Sequence, residues 1–222
     1  MSQASIDFIA LVRSCIPEEA EIVTLLQDGA PAAILYGDVD RDGQPEITAL
    51  YRYLDGTYLF SLKEYGGNWF PIGSAATGRR QGLRDFIAAP VSRKEGCDLI
   101  IGWQRDDGSA AELDIVSWTE TGFQRLIPHG TTYHHLEVED MPTRGVQDGV
   151  CELAIWLREQ GQAFRVDTYR WEPYRLVPAE DTHSHYFQKV ARYYEALVEE
   201  QPDRAELYRG YLEEAKRKLS HD

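Results

Sequence analysis

Positive charge is scarce in this chain. Its 222 residues hold 23 Lys and Arg against 37 Asp and Glu, a formal net charge of −14. Nucleic-acid phosphates and anionic membrane surfaces both require clustered basic side chains, so neither is an expected partner. Cysteine is scarcer still: Cys15, Cys97 and Cys151 form an odd, widely separated set without a C-x-x-C pair. That pattern argues against a disulfide framework and against a structural zinc site. It suits small apolar side chains in a reducing compartment. Long hydrophobic runs are missing, so no transmembrane segment is expected. The opening MSQASIDFIALVRSC has no basic n-region, and Asp7 interrupts its apolar run. Arg13 precedes Ser14-Cys15 where a cleavage site wants small or apolar residues, so the chain as written reads as cytoplasmic.

Catalytic signatures are missing too. No G-x-G-x-x-G opens a helix, and G-x-x-x-x-G-K-[ST], G-x-S-x-G and H-E-x-x-H do not occur. The stretch GSAATGRRQG (Gly73 to Gly82) offers small residues and two arginines, an imaginable anion site that a linker explains better.

What is present is a globular composition, 43% hydrophobic and 27% charged, in a length suited to one or two domains. Internal repetition is the strongest signal. PEITALYRY (Pro45 to Tyr53) has counterparts in CDLIIGWQR (Cys97 to Arg105) and CELAIWLRE (Cys151 to Glu159). An acid opens each apolar run: Glu46, Asp98 and Glu152. A second apolar segment follows in each unit: TYLFSLKEY, AELDIVSWT and AFRVDTYRW. After a turn comes an aromatic-led segment, headed by Trp69, Phe123 and Tyr174. A leading strand (AAILYGD, RDFIAAP, YHHLEVED) brings the count to four short strands per unit. β-Branched and aromatic residues dominate these runs, and Gly and Asp punctuate them. Four strands per repeat is the arithmetic of a propeller blade, with an ordinary antiparallel sandwich as the competing architecture.

The expected fold is therefore mainly β with helical ends. An N-terminal helical segment (1–24) carries Ile6, Ile9, Ala10 and Arg13 at helical spacing before Pro17. Three tandem four-stranded antiparallel, propeller-blade-like units fill 25–180, divided near 25–78, 79–130 and 131–180. A C-terminal helical hairpin (181–222) ends the chain. Its apolar positions Phe187, Val190, Tyr193, Tyr194, Leu197 and Val198 keep helical spacing, Pro202-Asp203 breaks the run, and Leu207, Tyr208, Tyr211 and Leu212 resume it. Three blades fall short of the roughly four to eight that close a ring. An open array with its edges covered by the terminal helices is expected, or one completed by homodimerisation.

GDVDRDGQPEI (Gly37 to Ile47) resembles the D-x-D-x-D-G-x-x-[DE] loop of FG-GAP/VCBS-type repeats, found in integrin α-subunit propellers and many bacterial proteins. The three-unit layout from Leu25 to Glu180 is similar to bacterial VCBS-repeat-like proteins, often exported, which leaves an exported origin open. The resemblance implies one structural calcium ion, with Asp38, Asp40 and Asp42 as side-chain ligands, Gln44 through its backbone carbonyl, and Glu46 closing the site. Calcium prefers six to eight hard oxygens, and Gly43 permits the sharp turn. An EF-hand is rejected because its twelfth position would be Ala49. The competing reading is a metal-free turn with solvated acids and only Arg41 among them. The second loop places Pro90, Ser92 and Lys94 at the aspartate positions, and the third places Arg144, Val146 and Asp148 there, so at most one ion is expected. Lys94 stands where a cation position has been vacated.

His129, His134, His135, His183 and His185 have no matched carboxylate spacing and read as surface or hydrogen-bonded histidines. His134 and His135 would point to opposite strand faces. The functional expectation is a non-catalytic binding or scaffold protein facing a protein or glycan partner. Trp69, Phe123 and Tyr174 are candidate anchors expected to be mainly core, and the tyrosine-rich hairpin face is an alternative docking surface. The other class is a metal-dependent enzyme using the histidines and the acidic loop.

Overall fold

The computed structural model describes residues 7–220 of the chain. The expected helical position Ile6 lies outside the described residues. Helix α1 (Phe8–Cys15) starts at Asp7, whose carboxylate accepts a hydrogen bond from the Ala10 amide at 3.1 Å. The N-terminal segment is not wholly helical: after Pro17 comes the short strand β1 (Glu21–Ile22).

The first repeat is an antiparallel meander, β2 (Ile34–Gly37), β3 (Glu46–Tyr53), β4 (Gly56–Tyr65) and β5 (Asn68–Ala76). β1 pairs with the far end of the β3 edge that β2 also uses. The second repeat repeats the order with β6 (Leu83–Ala89), β7 (Asp98–Gln104), β8 (Ala111–Thr119) and β9 (Gly122–Arg125). After the short β10 (Thr132–Tyr133) the third follows with β11 (His135–Glu139), β12 (Glu152–Gln160), β13 (Ala163–Glu172) and β14 (Arg175–Pro178). The described residues thus form three antiparallel sheets, of five, five and four strands.

The chain divides into two compact units, the first ending at Thr131 and the second starting at Thr132. In the first unit β3 is buried on both faces. Ile47, Ala49 and Tyr51 meet Val12, with Phe8 and Leu11 of α1 packed alongside. Leu50, with Leu59 of β4, joins Leu83, Phe86, Leu99, Ile101 and Trp103 of the second repeat in one core. In the second unit, Ala154 and Trp156 of β12 and Val166 of β13 pack on helices α2 (His183–Glu200) and α3 (Ala205–Leu219). By repeat position, Ala154 and Trp156 are the counterparts of Thr48 and Leu50. The hairpin therefore covers on the third sheet the face that, on the first, the next repeat covers. The terminal helices were expected along sheet edges, and they cover faces instead. A face offers far more apolar area to bury than an edge does.

Helix α2 begins at His183, four residues before the first periodic position read from sequence. His183, Tyr186, Phe187 and Val190 are buried with i, i+3, i+4, i+7 spacing, so His183 belongs to the apolar stripe. The tyrosine-rich face was an alternative docking surface, but Tyr186, Tyr194 and Tyr208 are buried in the core with the third sheet. Tyr194 accepts from the Phe164 amide at 2.8 Å and donates to its carbonyl at 2.5 Å. No helix among the described residues is long and apolar enough to cross a membrane.

Candidate metal centre and its counterparts

The acidic loop lies between β2 and β3, curled by left-handed backbone at Arg41 (φ 65°) and Gly43 (φ 86°). Each carboxylate first satisfies the loop's own amides. Asp38 Oδ2 accepts from Gly43 N at 3.0 Å, Asp40 Oδ1 from Asp42 N at 3.2 Å, and Asp42 Oδ1 from Gln44 N at 3.0 Å. Glu46, fully buried, accepts through Oε2 from Val39 N at 2.8 Å and Asp40 N at 3.3 Å. The remaining oxygens converge, and one ligand atom from each of the four acids lies within 4.8 Å of the others. Gln44 is exposed, with its amide engaged by Asp42.

Lys63 projects into this convergence from β4. Its Nζ ion-pairs with Asp40 Oδ2, with Asp42 Oδ2 at 2.7 Å and with Glu46 Oε1 at 3.2 Å, and the side chain is 2% exposed. Burial alone would lower the Lys63 pKa, but its close contacts with the carboxylates of Asp40, Asp42 and Glu46 outweigh it and hold the ammonium firmly protonated. The hydrogen bond from Lys63 in turn lowers the Asp42 carboxyl, whereas burial raises that of Glu46. The loop's electrostatic relief thus comes from the neighbouring strand. Arg41, the cation within the loop, is directed elsewhere.

Its target is the second repeat. Arg41 Nη2 lies 2.8 Å from Asp98 Oδ1 and donates to Ser117 Oγ at 2.8 Å and Ser92 Oγ at 3.2 Å. Its Nε and Nη1 donate to the carbonyls of Glu95 and Trp118. Gly96 makes room: a Cβ there would stand 2.5 Å from Arg41 Cγ and 2.8 Å from Asp38 O. Asp98 is otherwise held like Glu46, accepting from Val91 N at 3.1 Å and Ser92 N at 2.6 Å. In the third repeat Glu152 accepts from Met141 N at 3.0 Å and pairs with Arg170 at 3.3 Å, which also binds Asp181.

Register explains the pattern. One step beyond the Ile47–Leu62 pair stand Glu46 and Lys63. One step beyond Leu153–Tyr169 stand Glu152 and Arg170, and one step beyond Leu99–Val116 stand Asp98 and Ser117. The residue opposite the opening acid is a cation in two repeats. Where it is Ser117, Arg41 arrives from the first loop. Lys94, the candidate for the vacated position, is exposed. The missed signal was this cross-strand position, which needs the hairpin register and not the loop motif alone.

Calcium takes its oxygens at about 2.3–2.6 Å. The number and convergence of the four acids suit such an ion, and Asp38 Oδ1 is buried without a hydrogen-bond partner. With Lys63 in place, however, the ammonium lies against Asp40, Asp42 and Glu46. An ion on those three oxygens requires the lysine to withdraw.

A second charged constellation went unread in the sequence. Arg79, from the glycine-rich linker, pairs with Glu112 at 2.7 Å and Asp114 at 3.2 Å. Asp114 also binds Arg125 at 3.0 Å and accepts from Trp103 Nε1 at 2.8 Å. His129 contacts Arg79, Arg125 and Glu112. The linker arginine is therefore spent on the protein's own carboxylates. Its hydrogen bonds hold Glu112 down at about 2, too weak a base for proton transfer near neutrality. A depressed carboxyl stabilises the fold fully above its ordinary 4.5 and loses that contribution as pH falls toward 2. Acid titration of thermal stability should show this loss, and Glu112→Gln should flatten the curve across that window.

The other histidines do not assemble a site. His134, at a bend between β10 and β11, accepts from Arg158 N at 3.1 Å, and His135 pairs with Glu137 at 2.9 Å. His183 and His185 lie in the first turn of α2. Burial lowers the His183 pKa, and His185 faces Glu139 at 3.6 Å. Among the described residues, the four loop acids are the one group of three or more His, Cys, Asp or Glu side chains close enough to share an ion. Trp69 and Phe123 are partly buried against the cores of the first unit, as expected of mainly core residues. Tyr174 departs from that expectation. It sits at φ 77° in the β13–β14 turn and is 88% exposed, because the turn directs it away from the sheet.

No family model matches the chain, and no curated protein matches it in sequence.

Proposed function

We propose that this chain is a non-catalytic binding or scaffold protein built from VCBS/FG-GAP-like β-repeats. The reading takes the three sheets as blades of an open propeller-like array facing a protein or glycan partner. One observation carries it: exposed aromatics sit at the turn between third and fourth strands of two repeats. Tyr65 and Phe70 flank the β4–β5 turn, 6.2 Å apart and about half exposed, and Tyr174 marks the β13–β14 turn. Large aromatic side chains in water are favoured anchors for partners. The buried charges, by contrast, are paired with one another. That favours a frame over a metal-dependent enzyme using the histidines and the acidic loop.

The test compares wild type with Tyr65→Ala/Phe70→Ala/Tyr174→Ala on a glycan array and against chemically cross-linked copies of itself. The variant should melt like wild type and lose binding or self-association. Equal binding by the variant, or cleavage of a bound glycan, overturns the reading. A structural calcium ion in the acidic loop is the second reading for that site, favoured by the unpartnered Asp38 Oδ1.

A further inference from the structure

We infer that Lys63 is the resident cation of the acidic loop, so that the first repeat is complete without a metal ion. This goes beyond the binding role above and does not depend on it. Three independent observations support the assignment. First, the ammonium stands where the free oxygens of Asp40, Asp42 and Glu46 converge, on a side chain that is 2% exposed. Second, Lys63 reaches this place by strand register, directly across from Glu46, and does not drift in from the surface. Third, each repeat meets the same need with a cation of the chain itself: Arg170 at Glu152 and Arg41 at Asp98.

The third observation carries the most weight. A buried carboxylate that caps backbone amides remains costly until a cation faces it. An ion would serve one repeat only, since the other two loops lack its ligands. The chain instead uses one device in all three repeats, and in the second, where Ser117 is too short and uncharged, it supplies Arg41 from the adjoining loop. The acid cluster of the first loop is the lysine's seat, and removing the lysine should reopen it to a divalent ion. Asp38 Oδ1, which Lys63 does not reach, would then join the other three acids as a ligand.

The experiment uses the whole chain, freed of metal with EGTA and returned to millimolar calcium chloride. For wild type, the melting temperature should be the same in both, and calorimetric titration should show no saturable binding. Nitrogen-labelled lysine should give a resolved, slowly exchanging ammonium signal for Lys63 that calcium leaves unmoved. Lys63→Met should melt lower in EGTA and recover part of the loss in calcium, with about one ion bound. Lys63→Arg, which keeps a cation, should remain indifferent to calcium. Saturable calcium binding by wild type that raises its melting temperature overturns the inference, and the wild-type measurements decide it even if Lys63→Met fails to fold.

Discussion

Arg41→Met should destabilise the first unit by about 3 kcal/mol, seen as an early urea unfolding transition. The loss comes from Asp98, whose side chain is 0% exposed. Without the guanidinium its charge keeps only the Val91 and Ser92 amides and the Ser92 hydroxyl. Those partners place the cost at the lower end of what breaking a buried pair removes. Arg41→Lys should recover little, because a single ammonium cannot reach Asp98, Ser117 and two carbonyls at once. Asp98→Asn in the Arg41→Met background should restore part of the stability, since a neutral amide no longer needs the cation. Such a cycle measures the coupling between the two residues directly. If Arg41→Met unfolds with wild type, the first loop does not brace the second repeat.

Trp156→Ala should be at least as damaging to the second unit, about 4 kcal/mol. The indole is 5% exposed on β12, edge-on to Tyr193 with centroids 5.4 Å apart and near Phe164 at 5.8 Å. Its Nε1 donates to Tyr186 Oη at 2.8 Å, tying the sheet to α2. Truncation leaves a cavity and removes that tie together. Hydrogen exchange is the telling measurement: amides of β12, β13, α2 and α3 should lose protection together. Trp156→Phe should fall between, keeping much of the packing while giving up the hydrogen bond. Protection lost in the helices alone would mean that the hairpin is an appendage and not half of the core.

These two residues also mark how far the sequence could be read. Trp156 stood inside a recognised strand run, and the helical stripe from Phe187 onward was plain from spacing. Their meeting was not, because periodicity identifies an apolar face without naming what covers it. A docking role for the tyrosines stayed open beside a packed cap for that reason. Tyr174 shows the converse error, since an aromatic at the head of a strand segment looks like core until the turn conformation sends it outward. The linker arginine Arg79 was noticed, but its acceptors Glu112 and Asp114 lie more than thirty positions downstream.

The amino-acid sequence by itself determined the repeat. The three opening acids, the alternating strand runs and the glycine-bearing turns act locally, so the same meander pattern is legible in each repeat. It also determined the break at Pro202, since proline cannot continue a helix. Only the tertiary structure decided what neutralises the acids. Lys63 faces Glu46 through the β3–β4 register, and Arg41 bypasses its own loop for a carboxylate 57 positions away. A motif reports which ligands are near in sequence, whereas a buried charge is settled by whatever cation the fold carries within reach.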